Sequence, residues 1–243
     1  MQYLLRYKIV YIILSAIILP SFVSAQMERE IHLPDHDEKR FHFGINLGVN
    51  RAYYHFDHNP IFLQNDSVLV VESLQNTGIH LAWLVNMRLG EHLDLRTYPL
   101  NLIFTEKAFQ YSLKYPDRFA NEDSVTVRKI QGITLALPIQ LKFSSDRINN
   151  FKVYTIAGGR IEYDFAASAG EKNAERLIKL NKLDYGFEAG IGFHFYFPVF
   201  VFSPEIKFGW GLKNVHSRDA NLKFSNVMDK INARTITLSF IIE

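Results

Sequence analysis

Charged residues recur inside stretches that otherwise alternate apolar side chains with small or polar ones. In an extended strand these charges share the face opposite the apolar side chains. Where that face lines a narrow interior, the charges must be paired, because isolated buried charges are costly. They would form either a structural ion-pair network or a narrow path for ions or protons. We favour the network, with mixed signs on three consecutive strands: Arg160, Glu162, Glu188, Glu205 and Lys207.

Histidines offer a second candidate chemistry, because hydrolysis or acyl transfer needs a serine, a histidine and a carboxylate held together. The histidines considered for this role are His55, His58, His80, His194 and His216. None falls in a recognisable motif with a serine and an acid, and phosphate loops, HExxH and Gly-x-Ser-x-Gly are absent. We therefore expect no enzyme, no catalytic residue and no bound cofactor.

Metal binding is the third possibility. His32, Asp35, His36 and Asp37 have the right side chains, but at loose spacing that no fixed geometry supports. The sequence contains no cysteine, which excludes disulfides, thiolate metal sites and a lipid anchor on cysteine. We expect no metal site and read these four residues as part of a solvated, flexible segment.

The elements that must position these residues are strands. Leu183–Phe197 has an apolar residue at every odd position, a period of two that only an extended strand places on one face. Seven other stretches repeat the pattern, and the third changes phase at Pro99, which predicts a bulge. The predicted strands are Phe41–Arg51, Thr77–Leu89, Leu93–Phe104, Arg128–Phe143, Phe151–Phe165, Leu183–Phe197, Phe202–Leu212 and Ile231–Ile242.

The eight strands predict an all-β fold, an antiparallel transmembrane β-barrel of the outer-membrane type. Their connections alternate long and short, as expected for long extracellular loops and short periplasmic turns. The interior of an eight-stranded barrel holds little more than its own side chains, so the large apolar set must face lipid. The lumen then receives the five network residues together with Arg88, Arg96 and Lys142.

The N-terminal residues indicate export. Residues 1–25 resemble a cleaved signal peptide, with Arg6 and Lys8 before an uncharged run that ends in Val-Ser-Ala. Residues 26–40 form the flexible N-terminal segment and residues 41–243 the barrel domain. The formal charge of +2 falls to zero when Arg6 and Lys8 are removed, so nothing indicates a nucleic-acid partner.

Phe41–Asn50 and His80–Leu102, the second with a Leu-Arg-x-x-Pro strand after a glycine turn, carry a resemblance to a known family. They are similar to the first strand and the second hairpin of the PorT/SprT family of small outer-membrane barrels. Ile133–Phe143, with Leu137-Pro138-Ile139, resembles its Leu-Pro-Ile strand, and Gly158-Gly159 fits as well. The resemblance covers most of the mature chain.

The resemblance implies an outer-membrane component of the type IX secretion system, needed for export of proteases and adhesins and for gliding motility where present. It implies other type IX secretion proteins as partners, beside outer-membrane lipid and lipopolysaccharide, and no catalytic residue. The alternative is a generic surface barrel whose loops Ala52–Asn76 and Lys213–Asp229 bind ligands or surfaces. Neither the residues nor the resemblance predicts an oligomeric state.

Overall fold

The computed structural model describes residues 30–59, 68–116, 123–166, 180–217, 225 and 227–243. The signal peptide predicted over residues 1–25 lies outside these ranges and stays a prediction. The chain divides into Met1–Ile31 and His32–Glu243, and the second unit contains a 3-10 helix at His36–Glu38 and all the described strands. These are β1 (Phe41–His58), β2 (Val68–Leu74), β3 (Asn76–Arg88), β4 (Leu93–Leu113), β5 (Val125–Ser144), β6 (Phe151–Asp164), β7 (Leu183–Tyr196), β8 (Val201–Gly211) and β9 (Met228–Ile242).

The strands close into an antiparallel ring. Consecutive strands from β3 to β9 pair with one another. β1 pairs with both β3 and β9, which closes the sheet. Strands β2 and β3 pair with successive parts of β4 and so form one interrupted wall element. The ring therefore has eight wall elements, and the predicted eight-stranded antiparallel barrel is confirmed. No helix among the described residues is long and apolar enough to span a membrane.

Large apolar side chains cover the outside of the ring. Phe43, Trp83 and Ile139 are 60%, 58% and 59% exposed, although each lies within a strand rather than in a loop. Soluble proteins rarely expose contiguous apolar areas of more than a few hundred Å². The expectation that the apolar face points outward is confirmed, and this belt is the surface that suits lipid.

Several strands run further than the sequence pattern predicts. β1 continues from Arg51 to His58, and β4 continues from Phe104 to Leu113, so part of each predicted loop is strand instead. Beyond the apolar belt the polarity of the wall reverses, and apolar side chains turn into the ring. They form a buried cluster of Tyr54, Val68, Val71, Phe109, Tyr111, Leu113, Leu180, Val215, Val227, Met228, Ile231 and Ala233. The predicted loop boundaries were wrong here. In the sequence, an exchange of polarity between the two faces of a strand looks like the end of that strand.

The predicted bulge at Pro99 is confirmed. Trp83 of β3 pairs with Leu100, but Val85 pairs with Thr97, so β4 carries one extra residue at this point. The pairing of β4 with β5 is interrupted over the same residues. Because proline has no N–H for the ladder, it is tolerated at such an irregularity. The bulge leaves Tyr98 fully buried inside the ring.

Two adjacent glycines of β6 provide a matched test of interior packing. A Cβ atom at Gly158 would overlap the main-chain oxygen of Ile139, whereas at Gly159 it would meet only the oxygen of Gly186, at 3.8 Å. We expect Gly158→Ala to lower the free energy of unfolding by about 1–3 kcal/mol, because backbone must move. Gly159→Ala should change it by less than about 0.5 kcal/mol. Urea unfolding of both variants in the same detergent checks this; equal effects would contradict the packing argument.

Candidate functional site: the charged lumen and the N-terminal strap

The centre of the lumen is an ion pair between strands on opposite sides of the ring. Nη1 of Arg96 on β4 lies 2.7 Å from Oε2 of Glu205 on β8, and both side chains are 0% exposed. The hydroxyl of Tyr154 on β6 donates to the same oxygen at 2.8 Å. The guanidinium carbon of Arg96 also lies 5.0 Å from the centre of the Tyr154 ring. One carboxylate thus ties three strands together across the interior.

Glu205 has a second cationic partner on its own strand. Nζ of Lys207 lies 3.4 Å from Oε1 of Glu205 and 4.8 Å from the centre of the Tyr98 ring. Both oxygens of the carboxylate therefore face a positive charge. A buried carboxylate is tolerated under these conditions, because its desolvation is offset by ion pairs and hydrogen bonds.

A second group of charges surrounds Arg160. Its Nη1 lies 3.4 Å from Glu162 and 3.8 Å from Glu188, and it donates to the hydroxyl of Thr235 at 3.1 Å. The amide of Gln140 donates to the other oxygen of Glu188. This group links strands β5, β6, β7 and β9.

A third pair lies nearer the end with the short turns. Nζ of Lys142 is 2.9 Å from Oδ2 of Asp94, which also accepts a hydrogen bond from Asn86 at 3.0 Å. Lys142 in turn lies 5.3 Å from the Tyr154 ring. The aromatic ring of Tyr154 is therefore between two cations, Arg96 and Lys142.

The five residues expected to form the network fall into two adjacent groups. Arg160, Glu162 and Glu188 make one group, and Glu205 with Lys207 makes the other. Arg160, Glu162, Glu188 and Lys207 all border the same small cavity of about 30 Å³, which has room for one or two waters. Glu188 pairs with Arg160, one of the two cations proposed for it from the sequence.

The alternation phase of the strands predicts that Arg96, Lys142 and Arg88 lie in the lumen, but it predicts no partner for them. Arg96 and Lys142 are buried there, whereas Arg88 lies at the rim and donates from Nε to the main-chain oxygen of Gly90. No sequence signal links Arg96 to Glu205, since they are 109 residues apart. Only closing the ring brings β4 and β8 face to face.

The N-terminal strap, residues His32–Arg40, lies across the end of the barrel that has the short turns. The main-chain N–H of His32 donates to Asn150 at 2.9 Å, and Arg147 donates to the main-chain oxygens of His32 and Leu33. At its far end the oxygen of Arg40 accepts from the N–H of Arg88 at 2.9 Å. The strap is thus attached at both ends to the barrel rim.

Asp37 is the central anchor of the strap. Its carboxylate accepts a hydrogen bond from the hydroxyl of Tyr196 at 2.7 Å and lies 3.5 Å from both Arg147 and Lys152. The guanidinium of Arg147 stacks 3.6 Å above the Tyr196 ring. Burial acts to raise the pKa of Asp37, but the Tyr196 hydrogen bond and the charges of Lys152 and Arg147 outweigh it, so the pKa lies below its usual value of 3.8.

His36 packs beside Asp37. Its ring stacks on His42 with centroids 4.4 Å apart, and Nε2 of His42 donates to the main-chain oxygen of His36 at 2.7 Å. Burial, together with the neighbouring His42, lowers the pKa of His36 to about 4. The flexibility expected of residues 26–40 stays a prediction, but residues 32–40 have specific contacts that composition did not indicate.

The chain matches a known family over most of its length. Residues 24–217 fit the model of the outer membrane protein beta-barrel domain. The chain belongs to this family. No curated protein sequence matches it significantly.

Solved structures of other outer-membrane proteins align with most of this chain, each with a TM-score below 0.5. Neisserial surface protein A aligns with a TM-score of 0.44 and 9% identity, covering 84% of this chain and 99% of that chain. OprG of Pseudomonas aeruginosa gives 0.42 and 10%, covering 84% and 95%. The outer membrane protease OmpT from Escherichia coli gives 0.40 and 11%, covering 84% and 96%.

Two serine–histidine hydrogen bonds occur in this member of the barrel family, and sequence reasoning had noticed neither. Nδ1 of His194 is 2.6 Å from the hydroxyl of Ser203, and Nε2 of His216 is 2.8 Å from that of Ser225. The other ring nitrogen of His216 faces a main-chain oxygen, that of Asp229, rather than a carboxylate. All four side chains are buried. Within the described ranges, no group of three or more histidines and carboxylates is arranged to hold a metal.

Side chains of the described residues leave only small cavities at several places in the lumen. Two further cavities bordered by described residues measure about 30 and 20 Å³, again the size of one or two waters. Chemically, the arrangement is a set of buried ion pairs and hydrogen bonds, in which the Arg96–Glu205 pair connects strands that are not neighbours in the ring.

Proposed function

We propose that this outer-membrane barrel is a non-enzymatic component of the type IX protein secretion machinery, needed for export of proteases and adhesins and, in gliding bacteria, for motility. The observation that supports it is the place of the segments that resemble the PorT/SprT family. Two of them pair directly as β4 and β5, with Arg96 opposite Gln140. They supply Arg96, Gln140 and Lys142 to the lumen.

The filled lumen favours a supporting role over that of a conduit. An eight-stranded ring is too narrow for a folded protein, and here its interior already contains the Arg96–Glu205 pair. Exported proteins would therefore pass elsewhere in the machinery. We infer that the barrel acts through its rims and loops, which contact other secretion proteins in the outer membrane.

Deleting the gene should abolish export of proteins that carry the type IX sorting domain. A plasmid copy of the wild-type gene should restore export, and the amounts of unrelated outer-membrane barrels should not change. The measurement is the amount of sorting-domain protein in the culture medium and on the cell surface. Normal export in the deletion strain would exclude the secretion role. If export is lost, co-purification from outer membranes identifies which secretion components contact the barrel.

A second candidate is a surface barrel whose loops bind ligands or surfaces. The observation that favours it is the strand extension above the apolar belt, where the buried cluster around Tyr54 and Phe109 holds β1, β2 and β4 together. Such a rigid base suits loops that must present a fixed surface. Normal export in the deletion strain, together with lost adhesion to a surface or matrix, would favour this second candidate.

A further inference from the structure

Two arginines mark the outer edge of the apolar belt on adjacent strands. Arg51 on β1 is the first outward-facing residue after Val49, and Arg234 on β9 is the first after Ile236. Both belong to the end of the barrel that carries the long connections. Their guanidinium groups therefore lie at the outer boundary of the apolar belt.

The strand register places the two arginines close together on one face. Arg51 pairs with Ile236, and Tyr53 pairs with Arg234, so the arginines are diagonal neighbours across the β1–β9 ladder. Diagonal neighbours on one face are about 7–8 Å apart, within reach of long side chains. Both side chains are therefore long enough to reach groups of one lipid headgroup.

No carboxylate among the described residues neutralises the charges on these arginines. Arg51 is exposed and has no carboxylate partner among the described residues. Arg234 donates from Nη1 to the main-chain oxygens of Gly211 and Ala233, at 3.0 and 3.4 Å, which orients the group without balancing its charge. The nearest acid by register is Asp57, which lies opposite Lys230 further from the belt.

Three other cations near the rims of the barrel do have carboxylate partners. Arg147 and Lys152 at the opposite rim share Asp37, and Lys129 on the upper part of β5 lies 3.1 Å from Glu106. On the β1–β9 face, in contrast to these three cations, Arg51 and Arg234 have no carboxylate partner among the described residues.

Aromatic residues fix the depth of this face. Trp210 of β8 pairs with Arg234 and stacks on Phe187 with ring centroids 4.9 Å apart. Tryptophan and tyrosine are enriched at the boundary between hydrocarbon and headgroups. The neighbouring guanidinium groups consequently lie at headgroup depth.

We propose that Arg51 and Arg234 bind a phosphate group of an outer-leaflet lipid, a phosphorylated glycolipid of the lipid A type. Guanidinium groups bind phosphate through paired, charge-assisted hydrogen bonds that an ammonium does not match. The apolar belt below, with Val49 and Ile236, contacts the acyl chains of the same lipid. This site depends on the outer-membrane location and not on the secretion role.

The test compares bisphosphorylated lipid A with enzymatically dephosphorylated lipid A that has the same acyl chains. Purified full-length protein in detergent is titrated with each, and bound lipid is counted by native mass spectrometry. Wild-type protein should bind the phosphorylated form about tenfold more tightly, as expected for one or two charged hydrogen bonds. The doubly substituted variant R51Q/R234Q should lose that preference while still binding acyl chains.

Arg88→Gln is the matched control, because it removes an arginine from the opposite rim, where the Arg88 side chain donates to the main-chain oxygen of Gly90. It should keep the full preference for the phosphorylated lipid. Equal binding of both lipids by wild-type protein would overturn the proposal, and this comparison needs no variant to fold. A preference that survives in the double variant, or that Arg88→Gln removes, would also overturn it.

Discussion

Replacing Arg96 by methionine should lower the free energy of unfolding by about 3 kcal/mol or more, the largest effect we expect from a single substitution. Methionine fills a similar volume, but it leaves Glu205 buried without its closest cation. Tyr154 and Lys207 remain as partners and limit the loss. The measurement is urea unfolding in detergent micelles, followed by tryptophan fluorescence and by the mobility shift of unheated samples on gels.

The cause of that loss is separable from simple packing. In the double variant R96M/E205Q the unpaired carboxylate is gone, so part of the stability should return; the return is incomplete because Lys207 then lacks its carboxylate partner. Arg88→Met removes an arginine from the rim and should change stability by less than about 0.5 kcal/mol. If Arg96→Met behaves like Arg88→Met, the central ion pair does not stabilise the barrel.

Replacing Asp37 by alanine should release the N-terminal strap. The substitution removes the hydrogen bond from Tyr196 and leaves Arg147 and Lys152 without their shared carboxylate. Because hydrogen bonds to charged groups contribute about 1.5–3 kcal/mol, the released population should rise by about tenfold to a hundredfold. Trypsin cleavage after Lys39 and Arg40 measures this, since the docked strap holds the oxygen of Arg40 on Arg88.

Asp35→Ala is the control for strap release. Asp35 is two residues away, exposed, and makes no side-chain hydrogen bond at the start of the 3-10 helix. Its cleavage rate should stay at the wild-type value. Similar acceleration of trypsin cleavage in both variants would show that loss of either carboxylate releases the strap. It would contradict the specific role of Asp37 as the anchor.

Acid should release the strap in the wild-type protein as well. His36 has a pKa of about 4 when docked and regains about 6.5 when released, so the released form binds the extra proton between these values. Docking is therefore strongest above pH 6.5 and weakens as the pH falls toward 4. The lowered pKa of Asp37 adds stability that is present above pH 3.8 and lost below it. Hydrogen exchange of residues 32–40 across this range measures the effect, and a protection that rises on acidification would contradict it.

The wall of the barrel was predictable because it repeats. Alternation along Leu183–Phe197 and its seven counterparts needs no tertiary information, since a period of two defines a strand face wherever it occurs. The bulge at Pro99 was predictable for a similar local reason, the missing N–H of proline. The ends of the strands were not predictable from the sequence. β1 and β4 continue past the belt, where their faces exchange polarity, and local alternation cannot distinguish that exchange from a loop.

The charged residues were recognised one by one, but their partners depend on the closed ring. Sequence phase alone identifies Arg96, Arg160, Glu188 and Glu205 as inward-facing, because phase is a property of each strand. Which of them meet is decided by strand tilt and register, which bring β4 against β8 across the lumen. The contacts of Asp37 with Arg147, Lys152 and Tyr196 likewise join positions 110 or more residues apart. Sequence by itself determined the strands, their faces and the kind of membrane they suit; the tertiary structure decided the ion pairs and the strap, because pairing across a ring depends on distances that no local pattern records.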